Sequence, residues 1–238
     1  MRYSNYAISS RPVWLAVLCL IGAMAPSTVA EASPQNRVEA NFTIGGRLIY
    51  DESYELFSSN AGMATIAVSG AWLPAGAGER LAFDLSLGYS GSDVRSFATA
   101  LTSRLSTATL TVGAAYRQPV IGSLFVFARA GTGAERGTVN LDDGASRPFR
   151  GSAWAAVLEG SAGLELALPT RRVGRDRQDM TFRLEGGYGL RPFGARFDRV
   201  YRDVKEDGDP EPIERTSMDL GRLDVSGWVI RGSWGYRF

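Results

Sequence analysis

Two acidic clusters contain the residues of this chain that are best suited to chemistry. Asp142 and Asp143 are adjacent, and Asp207 and Asp209 lie two positions apart, so either pair could bring two carboxylates together for general acid–base work. Lys205 stands beside the second pair, but a lysine base needs a serine nucleophile, and no candidate serine lies near it. The 238 residues include no histidine. We therefore expect no catalytic residues, and we interpret these acids as solvated loop positions.

The second acidic cluster could also offer oxygen ligands to Ca²⁺. Residues 204–215 read VKEDGDPEPIER, in which four acids surround a glycine and a proline: Glu206, Asp207, Asp209 and Glu211. Their spacing differs from that of an EF-hand loop. The sequence contains no glycine-rich phosphate loop and no nucleotide motif. We therefore expect no metal site and no cofactor.

The charge balance of the chain gives no indication of nucleic-acid binding. The chain has 26 basic and 25 acidic residues, so its formal net charge is +1. Proteins that bind nucleic acid usually carry a marked positive excess. We therefore expect no nucleic-acid partner.

Most of the remaining charges alternate with apolar residues. Between Arg80 and Ser90, the residues Leu81, Phe83, Leu85, Leu87 and Tyr89 alternate with Ala82, Asp84, Ser86 and Gly88. A period of two places one set on each face of a β-strand. The pattern predicts a strand with one apolar and one polar face.

Eight segments share this period and predict an all-β fold. They cover about Val38–Tyr50, Met63–Leu73, Arg80–Ser90, Ser106–Arg117, Ser123–Gly133, Ser152–Leu168, Thr181–Arg191 and Val225–Phe238. The connections alternate in length. Long ones are expected at 51–62, 91–105, 134–151 and 192–224, and shorter ones at 74–79, 118–122 and 169–180.

The last segment indicates what the apolar faces contact. From Trp228 to Phe238, every second residue is apolar, aromatic or glycine, and the sequence ends on Phe. Here the chain resembles the bacterial outer-membrane β-barrel family, of the small OmpA/OmpX type, whose closing strand typically ends in an aromatic residue. The resemblance implies an eight-stranded antiparallel up-and-down transmembrane β-barrel in the bacterial outer membrane. It also implies that Trp234, Tyr236 and Phe238 are the signal read by the outer-membrane assembly machinery.

Aromatic residues are placed as two membrane interfaces would require. In such barrels the short turns face the periplasm and the long loops face outside, which fixes the direction of each strand. An outer girdle is then expected from Tyr50, Tyr89, Trp154, Tyr188 and Trp228. A periplasmic girdle is expected from Trp72, Phe83, Tyr116, Phe182, Tyr236 and Phe238. Aromatic rings favour such interfaces because an apolar body meets lipid while a polar edge meets water.

The N-terminal residues predict secretion. Arg2 and Arg11 precede an apolar run from Val13 to Met24, and small residues follow. This order is typical of a secretory signal peptide, here residues 1–30, with cleavage after Ala30 or Ala32. An uncleaved anchor is the alternative, although the run is too short to span a bilayer. We expect a short segment at 31–37 and the barrel domain at 38–238; the single cysteine, Cys19, would leave with the signal.

A soluble β-sandwich or a lipocalin-like barrel would show the same alternation with its faces reversed. The signal peptide, the aromatic girdles and the terminal Phe238 favour the membrane barrel. The fifth segment is ambiguous, because Leu124, Val126 and Ala128 oppose Phe125, Phe127 and Arg129. We place Arg129 inside, since an arginine facing lipid near the bilayer midplane costs roughly 2–4 kcal/mol.

The polar faces predict a charged interior. Its expected members are Glu39, Arg47, Asp84, Arg117, Arg129, Glu159, Glu165, Arg183, Glu185, Arg191 and Arg231. An eight-stranded barrel is just wide enough for its own side chains, so charges of both signs should pair. The interior is then either a salt-bridged plug, which we favour, or a narrow gated pore.

The expected function is a non-enzymatic outer-membrane protein that presents four extracellular loops for envelope integrity, adhesion or host interaction. A narrow porin-like channel is the alternative, and a lipid A-modifying enzyme is a third. The expected partners are outer-membrane lipid, lipopolysaccharide, the assembly machinery and a host or surface ligand at the loops. Arg191, Arg196, Arg199 and Arg202 lie at the expected outer rim, where they could pair with lipopolysaccharide phosphates or simply be solvated.

Overall fold

Alternating residue patterns produce strands throughout the computed structural model, which describes residues 36–58, 61–77, 79–92, 95–97, 101–142, 148–173, 176–204 and 214–238. A single-turn 3₁₀ helix at Glu52–Leu56 is the one helical element in these ranges. The strands are β1 Arg37–Ile49, β2 Gly62–Leu73, β3 Leu81–Gly91, β4 Arg95–Phe97, β5 Leu101–Ile121, β6 Leu124–Asp142, β7 Phe149–Val173, β8 Asp176–Leu190, β9 Ala195–Phe197, β10 Val200–Val204, β11 Glu214–Met218, β12 Gly221–Leu223 and β13 Gly227–Arg237.

Eight of these strands form a closed antiparallel ring in the order β1-β2-β3-β5-β6-β7-β8-β13, and β13 pairs again with β1. The hydrogen-bonded row that begins at Glu39 crosses all eight strands and returns to β1 at Ile49, ten residues further along. This stagger tilts the strands and closes the sheet without an edge. The predicted eight-stranded up-and-down barrel is confirmed.

Both chain ends of the barrel lie at one rim. The amide of Val38 and the carbonyl of Phe238 are hydrogen-bonded, as are the amide of Phe238 and the carbonyl of Val38. We call this rim the proximal end and the opposite rim the distal end. The turn from β5 to β6 lies at the proximal end and contains Gly122, whose φ of +56° is favourable for a residue without a side chain.

The predicted loop boundaries are wrong at several places, because strands continue past them. β5, β6 and β7 extend into the predicted loops 91–105 and 134–151, and β7 and β8 extend into the predicted turn 169–180. Asp142 therefore ends β6 rather than lying in a loop. These extensions form because neighbouring strands supply backbone partners and a shared apolar interior beyond the predicted ends.

The distal end has its own apolar core. The predicted loop 192–224 contains β9 to β12, and β10 continues the sheet beside β7. Large apolar side chains from the strand extensions, the 3₁₀ helix and this region are buried together: Ile49, Tyr54, Phe57, Met63, Leu105, Val139, Leu141, Phe197, Val200, Leu223 and Val225. A hydrophobic layer thus lies across the distal mouth.

Within the described residues, no helix is long and apolar enough to cross a membrane.

Candidate functional site

The outer surface of the ring is apolar, as the strand patterns predict. Leu85 on β3 is 54% exposed, Val112 on β5 is 53% exposed and Leu184 on β8 is 61% exposed. Their neighbours in sequence, including Asp84 and Arg183, point into the barrel. Exposing this much continuous apolar surface to water would be unfavourable, whereas lipid chains accommodate it.

Aromatic residues form a boundary at each end of this apolar surface. Near the proximal end, Trp72 and Phe83 are stacked with ring centroids 5.8 Å apart. Near the distal end, Tyr188 and Trp228 meet edge to face at 5.6 Å. Trp228 and Tyr236 are eight residues apart on β13. That separation is about 27 Å along the strand, or ~20 Å across a bilayer at a tilt of about 40°.

These features together describe a transmembrane barrel. The closed ring satisfies the backbone hydrogen bonds of every strand that faces lipid. The height of the apolar surface is comparable with the apolar band of about 25 Å on outer-membrane barrels, and aromatic residues lie at both of its boundaries. The chain therefore has the fold and surface of an outer-membrane β-barrel.

Charged side chains fill the inside of the barrel in three layers. The proximal layer is built on Glu39 from β1 and Glu165 from β7. Arg117 is 3.4 Å from each of these carboxylates, and both Arg183 and Arg237 also bind the two of them. Two carboxylates are thus shared by three guanidinium groups in a buried position.

The proximal layer continues to the rim. Glu79, in the turn after β2, accepts hydrogen bonds from Arg37 at 2.6 Å and from Arg237 at 3.1 Å. Its φ of +60° is uncommon for a residue with a side chain. Arg37 also bonds Asp179 of β8 at 3.0 Å. These contacts close the proximal mouth with ion pairs.

The middle layer centres on two arginines. Arg129 of β6 binds both carboxylate oxygens of Asp84, with its closest approach at 2.6 Å, and lies 3.4 Å from Glu159. Arg231 of β13 is 2.5 Å from Glu159 and 3.0 Å from Glu185. Each of these planar guanidinium groups bridges two carboxylates and so links its own strand to two others.

The distal layer has one carboxylate. Glu135 of β6 accepts hydrogen bonds from Arg191 at 2.7 Å, from Arg47 at 3.2 Å and from the hydroxyl of Thr109 at 2.9 Å. The hydrophobic layer of the distal mouth lies directly beyond it, since Ile49 and Met63 continue β1 and β2 past this level. Along the lumen, the ion-paired layers are thus followed by an apolar layer.

The structure places all eleven residues of the expected interior inside the barrel. It also places there five ionic partners that are absent from that set: Arg37, Glu79, Glu135, Asp179 and Arg237. Arg237 could have been found from the alternation of β13, in which it shares a face with Arg231. The other four lie outside the segments taken as strands, so the pattern gave no signal for their direction.

A small cavity remains between the proximal and middle layers. Its volume is about 50 Å³, enough for a few water molecules. Small residues of β2, β3 and β5 line it together with charged side chains that include Asp84, Arg117 and Arg129. Ion-paired residues of both layers border the cavity, among them Arg129 with Asp84.

This arrangement favours structural roles for the interior charges. Each carboxylate of the three layers accepts contacts from one or more arginines, so none has the free acid–base partner that catalysis would use. Among the described residues, no group of three or more acids, histidines or cysteines could hold a metal ion. Of the acidic pairs considered for catalysis, Asp142 is described, whereas Asp143, Asp207 and Asp209, together with Glu206 and Glu211 of the possible Ca²⁺ loop, lie outside the described residues.

One expectation about the rim is wrong. The side chain of Arg191 is 0% exposed and binds Glu135, so it cannot reach lipid phosphates at the rim. Arg196 and Arg199 are exposed at the distal end, where Arg196 pairs with Asp198 at 2.5 Å. The side chain of Arg202 lies outside the described residues.

The aromatic residues of the expected assembly signal all face outward on or just after β13. Trp234, Tyr236 and Phe238 are exposed, and the rings of Tyr236 and Phe238 are stacked with centroids 6.4 Å apart. Trp234 also packs on Phe42 of β1 at 4.6 Å, across the seam that closes the barrel. The three rings are accessible on the lipid side of the closing strand.

Comparison with known proteins finds no matching protein-family model and no matching curated protein. Among solved structures, the chain is similar to Neisserial surface protein A, with 13% identity and a TM-score of 0.45 over 87% of this chain and 97% of that one. It is similar to Ail, the attachment invasion locus protein of Yersinia pestis, with 13% identity and a TM-score of 0.46 over 85% and 98% of the two chains. A major outer membrane protein from Thermus thermophilus gives 14% identity and a TM-score of 0.49 over 86% and 100%. The membrane assignment of this chain depends on its own surface.

Proposed function

We propose that this chain is a non-enzymatic, integral outer-membrane protein that holds a folded structure at the cell surface for envelope integrity, adhesion or host interaction. Its proximal end lies in the periplasm and its distal end outside the cell. Its partners are the lipids of the outer membrane, including lipopolysaccharide, the assembly machinery that reads the closing strand, and a surface ligand at the distal end.

The ion-paired filling of the lumen is the observation that supports this proposal. Ion pairs link eight arginines to eight carboxylates among the described residues, so that the formal charges of the network cancel. Each charge of a buried ion pair depends on its partner, because removing one of them would leave the other unpaired in a medium of low dielectric constant. The apolar layer of the distal mouth adds a second barrier. A sealed barrel supports the distal structure rigidly and does not transport.

A narrow gated pore is the second candidate. It is favoured by the polar cavity between the proximal and middle layers, which could hold water next to Asp84 and Arg129. Conduction would require the proximal ion pairs and the distal apolar layer to open together. Among the residues that the structure describes, no comparable feature favours a lipid-modifying enzyme.

Single-channel recording in planar bilayers separates the two candidates. The purified, folded barrel should give no discrete conductance steps over a range of voltages, because both layers must part before an ion can pass. Gramicidin added at the end of each recording verifies that the bilayer reports channels. Stable, reproducible steps from the folded barrel would replace the sealed barrel with the pore.

Surface labelling tests the orientation. The cysteine variants Ser217→Cys, at the distal end, and Ala75→Cys, in the proximal turn, both place a thiol at an exposed position. A membrane-impermeant maleimide should label the distal cysteine in intact cells and the proximal one only after the outer membrane is permeabilised. The reverse pattern would contradict the proposed orientation.

A further inference from the structure

The arginines that the structure describes include two groups with different partners. Every arginine of the three lumen layers contacts a carboxylate. A second group lies on the outside of the distal wall, where Arg104, Arg136, Arg150 and Arg199 are exposed. Among the described residues, none of these four has a carboxylate partner. The network that neutralises the interior therefore stops at the barrel wall.

The strand register brings three of these arginines together. Arg104 of β5, Asn140 of β6 and Arg150 of β7 lie in one hydrogen-bonded row, which continues to Tyr201 of β10. The Cα atoms of Arg104 and Arg150 are therefore about 10 Å apart, two strand spacings. Arg136 lies four residues from Asn140 on the same face of β6. We call Arg104, Arg136 and Arg150 the arginine wall.

Hydroxyl groups lie between the arginines of this wall. Arg136 donates a hydrogen bond from Nη2 to Oγ of Ser152 at 3.3 Å. Thr138 is exposed beside it on β6. Asp142 faces outward beyond Asn140 and takes part in an interaction of its own. Guanidinium groups flanked by hydroxyls supply several hydrogen-bond donors for a phosphate.

Ser152 also borders an open cleft that contains a further unpaired arginine. The cleft has a volume of about 710 Å³ and is lined by Arg196, Arg199, Asp198 and Asp219 as well. Arg196 is paired with Asp198, and Asp219 accepts a hydrogen bond from the amide of Gly221 at 2.7 Å. Arg199 is then the cleft arginine left available to a ligand.

The arginine wall lies at the level of lipid headgroups. Trp154, an aromatic residue of the distal boundary, is 67% exposed and follows Ser152 by two positions on the outward face of β7. It is also paired in register with Arg136. An arginine beside such a ring is at the edge of the apolar surface, where charge is tolerated and headgroups begin.

Among the described residues of the eight ring strands, the outward-facing arginines are those of β5, β6 and β7. Near the distal ends of β1, β2 and β3, the outward residues are Leu48, Ala64, Tyr89 and Gly91, which carry no charge. If these arginines were only solvated residues of the rim, nothing would explain why they lie on one side of the barrel.

From this placement we infer that the arginine wall, with Arg199, binds the phosphate groups of a phosphorylated glycolipid in the outer leaflet. The inference depends on the proposed orientation, with the distal end outside. The acyl chains of that lipid would lie on the apolar surface below Trp154, and its phosphates would be held by the guanidinium groups above. Arginine suits this role because its planar fork binds two phosphate oxygens at once.

Lipid retention in nanodiscs tests the inference. The full barrel is reconstituted with bisphosphorylated lipid A or with the same lipid after enzymatic dephosphorylation, and native mass spectrometry counts the lipids that remain bound. The triple variant Arg104→Gln, Arg136→Gln and Arg150→Gln is compared with the matched lysine variant, which keeps the charges. Heat-modifiable gel mobility verifies that each protein is folded.

We expect the unaltered barrel to retain the phosphorylated form preferentially, and the glutamine variant to lose that preference by about tenfold or more. The lysine variant should lose less of this preference, because it keeps the positive charges but not the planar guanidinium groups that bind two oxygens at once. An equal preference in the glutamine variant would overturn the site, as would the absence of any preference in the unaltered barrel. Displacement of the lipid by an equal concentration of inorganic pyrophosphate would overturn the lipid as the ligand. In each of these cases the folded, sealed barrel would remain, because conductance and surface labelling test it separately.

Discussion

Arg237, the penultimate residue, donates a hydrogen bond from Nε to Oε2 of Glu39 at 2.9 Å. The two residues are also direct partners in the register between β13 and β1, so this ion pair spans the seam at which the barrel closes. Glu39 is fully buried, and its other arginine contacts come from β5 and β8. Through the carboxylate of Glu39, β1 is thus linked by ion pairs to β5, β8 and β13.

Replacing Glu39 should therefore destabilise the closed barrel strongly. In Glu39→Gln, the guanidinium groups of Arg117, Arg183 and Arg237 would share Glu165 as their main remaining carboxylate. We expect a loss of roughly 3–5 kcal/mol in the free energy of unfolding, the usual cost of breaking a buried ion pair. Urea unfolding in lipid vesicles, followed by tryptophan fluorescence, measures it. The exposed Glu52→Gln is the control and should change stability by less than about 0.5 kcal/mol; equal midpoints for the two variants would contradict the structural role of the network.

Glycine substitutions should separate crowded from open positions. A Cβ atom at Gly163 would collide with the carbonyl oxygen of Leu184, whereas a Cβ at Gly70 would meet no atom within 4 Å. Because the obstacle at Gly163 is backbone, Gly163→Ala should cost about 1–3 kcal/mol or more and reduce the refolded fraction. Gly70→Ala should fold as well as the unaltered chain. Heat-modifiable gel mobility gives the folded fractions, and equal yields would show that the close approach of β7 and β8 is relaxed in solution.

A charge at the middle of the apolar surface should be costly. Leu85 lies between the two aromatic boundaries, so Leu85→Arg should lose roughly 2–4 kcal/mol of unfolding free energy in a bilayer. Ala64→Arg, also outward but near the distal boundary, should lose about 0–1 kcal/mol, because there the charge can reach the headgroups. Unfolding in vesicles compares them. If the distal variant were the less stable of the two, the assigned membrane level would be wrong.

The apolar core of the distal end should unfold separately from the ring. Phe197 is buried in that core, so Phe197→Ala should cost roughly 3–5 kcal/mol there and expose the distal segment to protease. Added trypsin should then cleave near Arg199 in intact cells, while the ring remains heat-modifiable. Phe193→Ala is the matched control, since Phe193 is 74% exposed. Equal resistance of the two variants would mean that Phe197 does not hold the distal structure together.

The ring could be predicted from sequence because its two faces meet such different surroundings. Where a strand is half in lipid and half in a polar lumen, as in β3, the alternation of Leu85 and Leu87 with Asp84 and Ser86 is sufficient. β6 was harder, since Phe125 and Phe127 are as apolar as their neighbours. The cost of placing Arg129 in lipid correctly decides its direction, and the two phenylalanines accordingly face inward.

The distal end could not be predicted in the same way. Tyr54 and Phe57 lie in a segment rich in turn-forming and polar residues, and their burial depends on Val139 and Leu141, which approach from distant strands. Glu135 falls in a predicted loop because the outward residues of β6 near it are alanine and threonine instead of large apolar residues, so the alternating pattern is weak there. Its ion pairs with Arg47 and Arg191 are long-range contacts that a local pattern does not contain.

The measurement that tests the central claim most directly is the lipid accessibility of spin labels along β3. Single cysteines at positions 84–88 of a chain without Cys19 are labelled with a nitroxide, and its relaxation by oxygen and by a water-soluble nickel chelate is recorded in bilayers. Labels replacing Leu85 and Leu87 should be accessible to oxygen, whereas those replacing Asp84, Ser86 and Gly88 should be shielded from both reagents. Oxygen accessibility at Ser86 together with shielding at Leu85 would show that the faces are reversed and would contradict the sealed, charge-filled barrel.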